Sequence, residues 1–333
     1  MKQRVSVLDT DLTLRVEERD VPEPGPDEVL VQVKSVGVCG SDIHYFEHGR
    51  IADFIVEQPL VLGHEASGIV SAVGNNVTDL EVGTTVAMEP GVPCGRCKEC
   101  RAGRYNLCPD VAFFATPPID GAFCEYVVLP RDFVHPVPSH VSYDAAALVE
   151  PLSVGVWACQ KANVSLGTRV LITGGGPIGA ICALVARARG ANVVAVTDVN
   201  PDRRQRVTEL GFPAIDPMHD GIPEADVLLE CSGAAPAIDQ GVRALAPAGT
   251  AVLIGMAPTD TVAIPVGAIQ GKELWLTGTF RYANTYPDAV ELVASGGVDL
   301  DAIVSASYSL DEVQQALTHA KKHPADMKVM VRP

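Results

Sequence analysis

The chain of 333 residues carries 25 Lys and Arg against 41 Asp and Glu, a formal charge of −16, with 47% hydrophobic, 20% charged and 5% aromatic residues. That length predicts two domains with separate cores, and the composition is too apolar for a disordered chain. The acidic balance repels nucleic-acid phosphates and anionic lipid, so neither is expected as a partner.

No run approaches the roughly 20 apolar residues of a membrane span. The opening Met1-Lys2-Gln3-Arg4-Val5 lacks the apolar core of a signal peptide, which predicts a soluble, cytoplasmic protein. Residues 5–129 alternate short β-rich runs, such as Val29-Leu30-Val31-Gln32-Val33 and Gly68-Ile69-Val70-Ser71-Ala72-Val73, with Gly and Pro turns. That is the pattern of a small barrel-like β domain. Within it, Cys39, His64 and Glu65 offer a thiolate, an imidazole and a carboxylate, a mixed set that leaves a coordination position open, as catalytic zinc requires. Taken singly, Cys39 reads equally well as a buried apolar thiol and His64 as a hydrogen-bonded core histidine.

Further along, Cys94, Cys97, Cys100 and Cys108 follow C-x2-C-x2-C-x7-C, four of the nine cysteines in the chain. Four thiolates so close in sequence can close a tetrahedron around a structural zinc with no open position. The remaining Cys124, Cys159, Cys182 and Cys231 have no partner at metal spacing and read as buried apolar thiols.

From residue 153 to 274 strands alternate with helix-length amphipathic stretches, which implies a parallel sheet. After the predicted strand Arg169-Val170-Leu171-Ile172-Thr173 comes Gly174-Gly175-Gly176-Pro177-Ile178-Gly179, a G-x-G-x-x-G turn that leads into an amphipathic helix. A tight turn at Gly174, bare backbone at Gly176 and close packing at Gly179 suit a pyrophosphate on the helix N-terminus. Asp198, at the end of the next strand, can accept hydrogen bonds from the adenosine ribose and repels a 2′-phosphate, which favours NAD; Arg203 and Arg204 keep NADP in play. Gly255, after the apolar run ending at Ile254, suits close backbone approach to the nicotinamide half. The tail predicts helices over 286–294 and 310–321 and a last strand over 328–331, with no periodicity to say which domain it joins.

Gly63-His64-Glu65, with Gly68, Gly74 and Val77, matches the G-H-E-x2-G-x5-G-x2-V signature of zinc-containing alcohol dehydrogenases, the medium-chain dehydrogenase/reductases. Residues 37–50, Phe113-Phe114-Ala115-Thr116-Pro117-Pro118, Glu150-Pro151-Leu152-Ser153-Val154-Gly155 and residues 278–287 further resemble the sorbitol and xylitol dehydrogenases. The resemblance implies an α/β chain: a GroES-like β-rich catalytic domain over 1–151 and 276–333, and a doubly wound Rossmann domain over 152–275. It implies that Cys39, His64 and Glu65 bind catalytic zinc, with Glu150 holding a water at the metal or ligating it directly. The retained cysteine quartet is that of microbial relatives.

The expected activity is zinc-dependent oxidation of a polyol to the ketose, with hydride passing to NAD. Ser41 and His44 resemble a proton route to solvent. Glu150, Tyr45, Arg281 and Tyr282 are the substrate candidates, and Ile254, Gly255, Met256, Phe280 and Arg281 join Gly174, Gly176, Pro177, Ile178, Gly179, Asp198 and Arg203 as cofactor contacts. The resemblance also implies a homo-tetramer or homo-dimer. The alternatives are a zinc dehydrogenase of another secondary alcohol (2,3-butanediol, threonine or an aldose) and a non-catalytic NAD-binding protein.

Overall fold

A computed structural model describes all residues 1–333 as two compact units, Met1–Glu150 with Ala289–Pro333, and Pro151–Asp288. In the first unit strand Glu28–Gly37 is the spine of a seven-stranded sheet. It pairs antiparallel with Glu65–Val73, Tyr126–Pro130 and Lys328–Arg332. Val29, Val31 and Val33 are buried, as a β-branched run covered by neighbours should be. Strand Val304–Ser309 lies parallel to the last strand, so the tail completes the sheet of the N-terminal unit. Periodicity could not show this, because strand pairing between the two ends of the chain leaves no local signal.

Two local devices in this unit position side chains. Helix Gly40–His48 starts at Cys39, where the Asp42 carboxylate accepts the Cys39 N–H at 3.0 Å, and stops at Gly49 with φ of 66°. An N-cap bond of this kind satisfies one of the helix's orphan donors. The turn before His64 depends on Gly63: φ there is 87°, and a Cβ would lie 2.7 Å from the ring of buried Phe123.

The second unit is a six-stranded, all-parallel sheet in the order Ala214–Ile215, Asn192–Thr197, Arg169–Thr173, Ala225–Glu230, Leu245–Leu253, Trp275–Gly278. Strands Arg169–Thr173 and Asn192–Thr197 fall on the expected residues. The chain winds outward in both directions from Arg169–Thr173, which makes the gap between Thr173 and Glu230 the topological switch point where such sheets bind ligands. Residues 276–288, expected with the first domain, group with this one, because Trp275–Gly278 is hydrogen-bonded to Leu245–Leu253 as its outer strand.

Candidate functional site

The Cys39 thiol, one His64 nitrogen and one Glu65 oxygen all lie within 4.8 Å of one another, though the residues come from a helix N-cap and the start of a strand. His64 and Glu65 are 7% and 1% exposed. Asp42 is also fully buried, with Oδ1 3.5 Å from His64 Nδ1 and 2.9 Å from the Gly63 N–H it accepts. Burial opposes charge on both groups, yet their mutual attraction wins: the His64 pKa is raised well above the ordinary imidazole value, also by Cys39, and the Asp42 carboxyl is held below its usual range. A carboxylate behind a histidine fixes the ring and makes it a better ligand.

Behind Glu65 stands Lys328, 3% exposed, from the last strand. Its Nζ donates to both Glu65 carboxylate oxygens, at 2.5 Å to Oε2, and to the Val38 carbonyl at 3.2 Å. Desolvation would depress its pKa, but Glu65, Cys39 and, more weakly, Glu150 push it up. Glu150 itself is 5% exposed in the first turn of helix Val149–Lys161. A soft thiolate on half-buried Cys39, with an imidazole and a carboxylate on buried, preset His64 and Glu65, is a donor set that fits zinc.

The second cluster is built locally. The four sulfurs of Cys94, Cys97, Cys100 and Cys108 lie within 4.8 Å of one another, with Cys97 Sγ and Cys100 Sγ 3.4 Å apart. Backbone N–H groups of Arg96 and Cys97 bring the Cys94 thiol down to about 7, whereas desolvation and its sulfur neighbours push Cys100 up to about 12. Four thiolates at this spacing repel unless a divalent cation neutralises them, so this set also fits zinc. Tyr105 donates to buried Glu89 at 2.7 Å, and His135 Nε2 lies 3.0 Å from the other oxygen, tying the lobe to the sheet.

In the second unit the G-x-G-x-x-G turn has the shape of a phosphate cradle. Gly174 sits at φ of 92°, a Cβ on Gly179 would lie 1.8 Å from the Gly174 carbonyl, and one on Gly176 would meet nothing nearer than Arg203 at 3.8 Å. Tight packing at the first and last glycines thus leaves the middle one open at the N-terminus of helix Pro177–Ala188. These residues, with Ile178, Asp198 and Arg203, line a pocket of about 330 Å³. Asp198 is preset: Oδ2 accepts the Gly175 N–H and Oδ1 the Asn200 N–H, both at 2.8 Å, and Arg203 Nη1 stands 3.8 Å away. Such a bare, anion-ready cradle with a carboxylate at its far end fits a dinucleotide.

The other candidates are scattered. Ser41 is half-buried and His44 exposed on the same helix, whereas the Tyr45 ring packs in the hydrophobic core of the first unit. Arg281 has φ of 53°, with its guanidinium 4.9 Å from the Phe280 ring, and buried Tyr282 tilts against Tyr286. Ile254 and Gly255 donate N–H groups to the Glu230 carbonyl, while Met256 is exposed. Three buried groups were not singled out in the sequence: Asp42, Lys328 and Glu230. Glu230 Oε1 receives Ser232 N at 2.9 Å and Gly233 N at 3.1 Å and so shapes the loop of the dinucleotide pocket. Of the three, only Asp42 lay within a quoted motif.

Residues 25–139 match the family model of the alcohol dehydrogenase GroES-like domain and residues 177–295 that of the zinc-binding dehydrogenase. The chain is 40% identical to sorbitol dehydrogenase of Bacillus subtilis, over 99% of this chain and 97% of that one. It is 42% identical to probable D-xylulose reductase A of Aspergillus clavatus, over 95% and 92%. Among solved structures, a putative zinc-binding dehydrogenase of Sinorhizobium meliloti bound to NADP superposes with a TM-score of 0.92 at 31% identity, covering 100% of both chains. No helix is long and apolar enough to cross a membrane.

Proposed function

The chain belongs to the zinc-containing medium-chain dehydrogenase/reductases, in their polyol dehydrogenase branch, and on that premise we propose that it oxidises a polyol such as sorbitol or xylitol to the ketose with NAD. The observation that carries this reading is the convergence of Cys39, His64 and Glu65 on one point, backed by Asp42. When bound, zinc supplies a Lewis acid and the dinucleotide the two-electron acceptor.

The chain's own residues do the rest. Cys39, His64 and Glu65 hold the metal, and Asp42 keeps the His64 ring oriented. Ser41 and then His44, on the helix that Cys39 caps, are the proposed route by which the substrate hydroxyl's proton reaches solvent. Glu150 accepts a hydrogen bond from a water or a second substrate hydroxyl, and Tyr45, Arg281 and Tyr282 are proposed to contact the substrate. Cys94, Cys97, Cys100 and Cys108 hold the structural zinc.

In the nucleotide unit Gly174, Gly176, Pro177, Ile178 and Gly179 cradle the pyrophosphate, and Asp198 binds the ribose while its charge discourages a 2′-phosphate, even beside Arg203. Ile254, Gly255, Met256 and Phe280 are assigned to the nicotinamide half. The open edge of the parallel sheet at Trp275–Gly278, with Trp275 73% exposed, supports a homo-dimer or homo-tetramer. Nine free cysteines support a reducing, cytoplasmic setting.

The test is initial-rate kinetics on a panel of polyols, 2,3-butanediol and threonine, each with NAD and with NADP, before and after chelation. NAD-dependent turnover of a polyol that chelation abolishes is expected. Turnover confined to threonine or butanediol, or undiminished by metal removal, overturns the reading.

A further inference from the structure

Lys328 has no part in that reaction scheme, yet it makes a dense set of contacts next to the mixed-ligand cluster. Its three ammonium protons have three acceptors, the two Glu65 oxygens and the Val38 carbonyl, so the group is saturated at 3% exposure. Glu65 is confined from the other side as well: a Cβ on Gly37 would lie 2.0 Å from Glu65 Oε2, so the carboxylate is wedged between bare backbone and the ammonium. Strand Lys328–Arg332 pairs Met330 with Gly37, so one sheet register sets both walls.

We propose that Lys328 is the built-in counter-cation of Glu65: it holds the carboxylate in the donor set and, by neutralising it, sets how tightly that set retains a divalent ion. The inference rests on Cys39, His64 and Glu65 being metal ligands. A thiolate and a carboxylate give the set two negative charges, and Lys328 cancels one of them before any metal arrives. Removing the ammonium from metal-stripped protein leaves a buried carboxylate with no opposite charge, a strongly destabilising change. In loaded protein the metal still neutralises Glu65, so the same removal does less damage. Around the closed cycle that difference emerges as tighter metal binding in the variant. Lys328 is therefore a positioning residue whose charge weakens the hold on the metal while stabilising the fold without it.

The experiment uses the full chain, wild type and the variants Lys328→Met, Lys328→Arg and Lys328→Met with Glu65→Gln. Zinc is counted per chain, and affinity at each site is measured by competition with a chromophoric chelator. Lys328→Met should hold zinc at the mixed site about tenfold or more tighter than wild type, because the cost of stranding the Glu65 charge falls mainly on the metal-stripped protein, with the four-cysteine site unchanged. Its melting midpoint should fall much more when stripped than when loaded. Lys328→Arg should restore the wild-type affinity, and the visible absorption of cobalt-substituted protein should shift in Lys328→Met and return in Lys328→Arg.

If stripped Lys328→Met does not fold, the double variant decides, since the neutral amide introduced by Glu65→Gln has no charge to strand: a folded double variant supports the proposal and an unfolded one overturns it. Affinity within twofold of wild type, or weaker, also overturns it. Wild-type protein that takes up zinc only at the four-cysteine site would instead remove the metal reading itself, and this inference with it.

Discussion

The two candidate metal clusters solve opposite problems. The four cysteines fall within 15 residues, from one loop and one short helix, and offer only sulfur. The mixed set is assembled from a helix N-cap and a strand start, offers three kinds of donor, and is backed by Asp42 and Lys328. A closed all-thiolate site can only fasten chain, whereas a three-ligand site with buried supports keeps a position for substrate. The electrostatics differ accordingly. In the lobe desolvation and then the neighbouring thiols push Cys100 up, whereas in the mixed site Asp42 faces His64 and Glu65 faces Lys328. On the proposed reading, metal in the lobe serves structure and metal in the mixed site serves the reaction.

The largest effect that tests this contrast is on turnover. Cys39→Ser should lower kcat/KM by about 10³-fold or more, the loss of several kcal/mol of Lewis-acid stabilisation. Zinc content should fall by one per chain, while NAD binding followed by fluorescence titration persists. Wild-type turnover in Cys39→Ser would show that the mixed set is not the reaction centre. The reciprocal change, Cys97→Ser with Cys100→Ser, should lower the melting midpoint by about 10 °C or more, because structural zinc contributes folding energy directly. Activity per folded molecule at low temperature should survive. Should activity vanish while the midpoint holds, the roles of the two clusters are reversed. A smaller effect separates the sites again: Asp42→Asn should weaken zinc at the mixed site by about 10- to 100-fold and leave the four-cysteine site untouched, both read by chelator competition.

The same contrast explains what could be read in the sequence. The cysteine quartet was legible from spacing alone, because all its donors are local. The strands at 169–173 and 192–197 were legible because each is a short, β-branched apolar run closed by a turn residue, Gly174 or Asp198, which favours a strand over a helix. Cys39 and His64 were ambiguous singly, since a buried thiol and a buried imidazole look alike whether or not a metal joins them. Lys328 was invisible: it opens a short apolar strand, and its partner Glu65 is 263 residues away. The grouping of 276–288 with the nucleotide unit was equally hidden, because only pairing with Leu245–Leu253 shows that strand Trp275–Gly278 is the sheet's edge.

The smallest expected effect lies at the rim of the four-cysteine lobe. Glu99 and Arg104 pair at 2.7 Å with side chains 27% and 48% exposed, and the Arg104 hydrogen bond holds the Glu99 carboxyl below its ordinary 4.5. A carboxyl depressed on folding adds stability that is complete above the unfolded pKa and is lost as pH falls through the lower folded value. The window for Glu99 therefore lies below 4.5. Solvent and salt screen so open a pair. Melting curves of Glu99→Gln at neutral pH and physiological salt should overlay the wild type, separate slightly at low salt, and rejoin as pH drops below that window. Asp42 is depressed in the same direction but within the protein, where salt does not reach it, so salt should leave the Asp42→Asn defect unchanged. A Glu99→Gln variant that sheds the lobe zinc at neutral pH would mean that surface charge rather than sulfur holds the lobe together, and the distinction between a fastening site and a reacting site would fail at its simpler end.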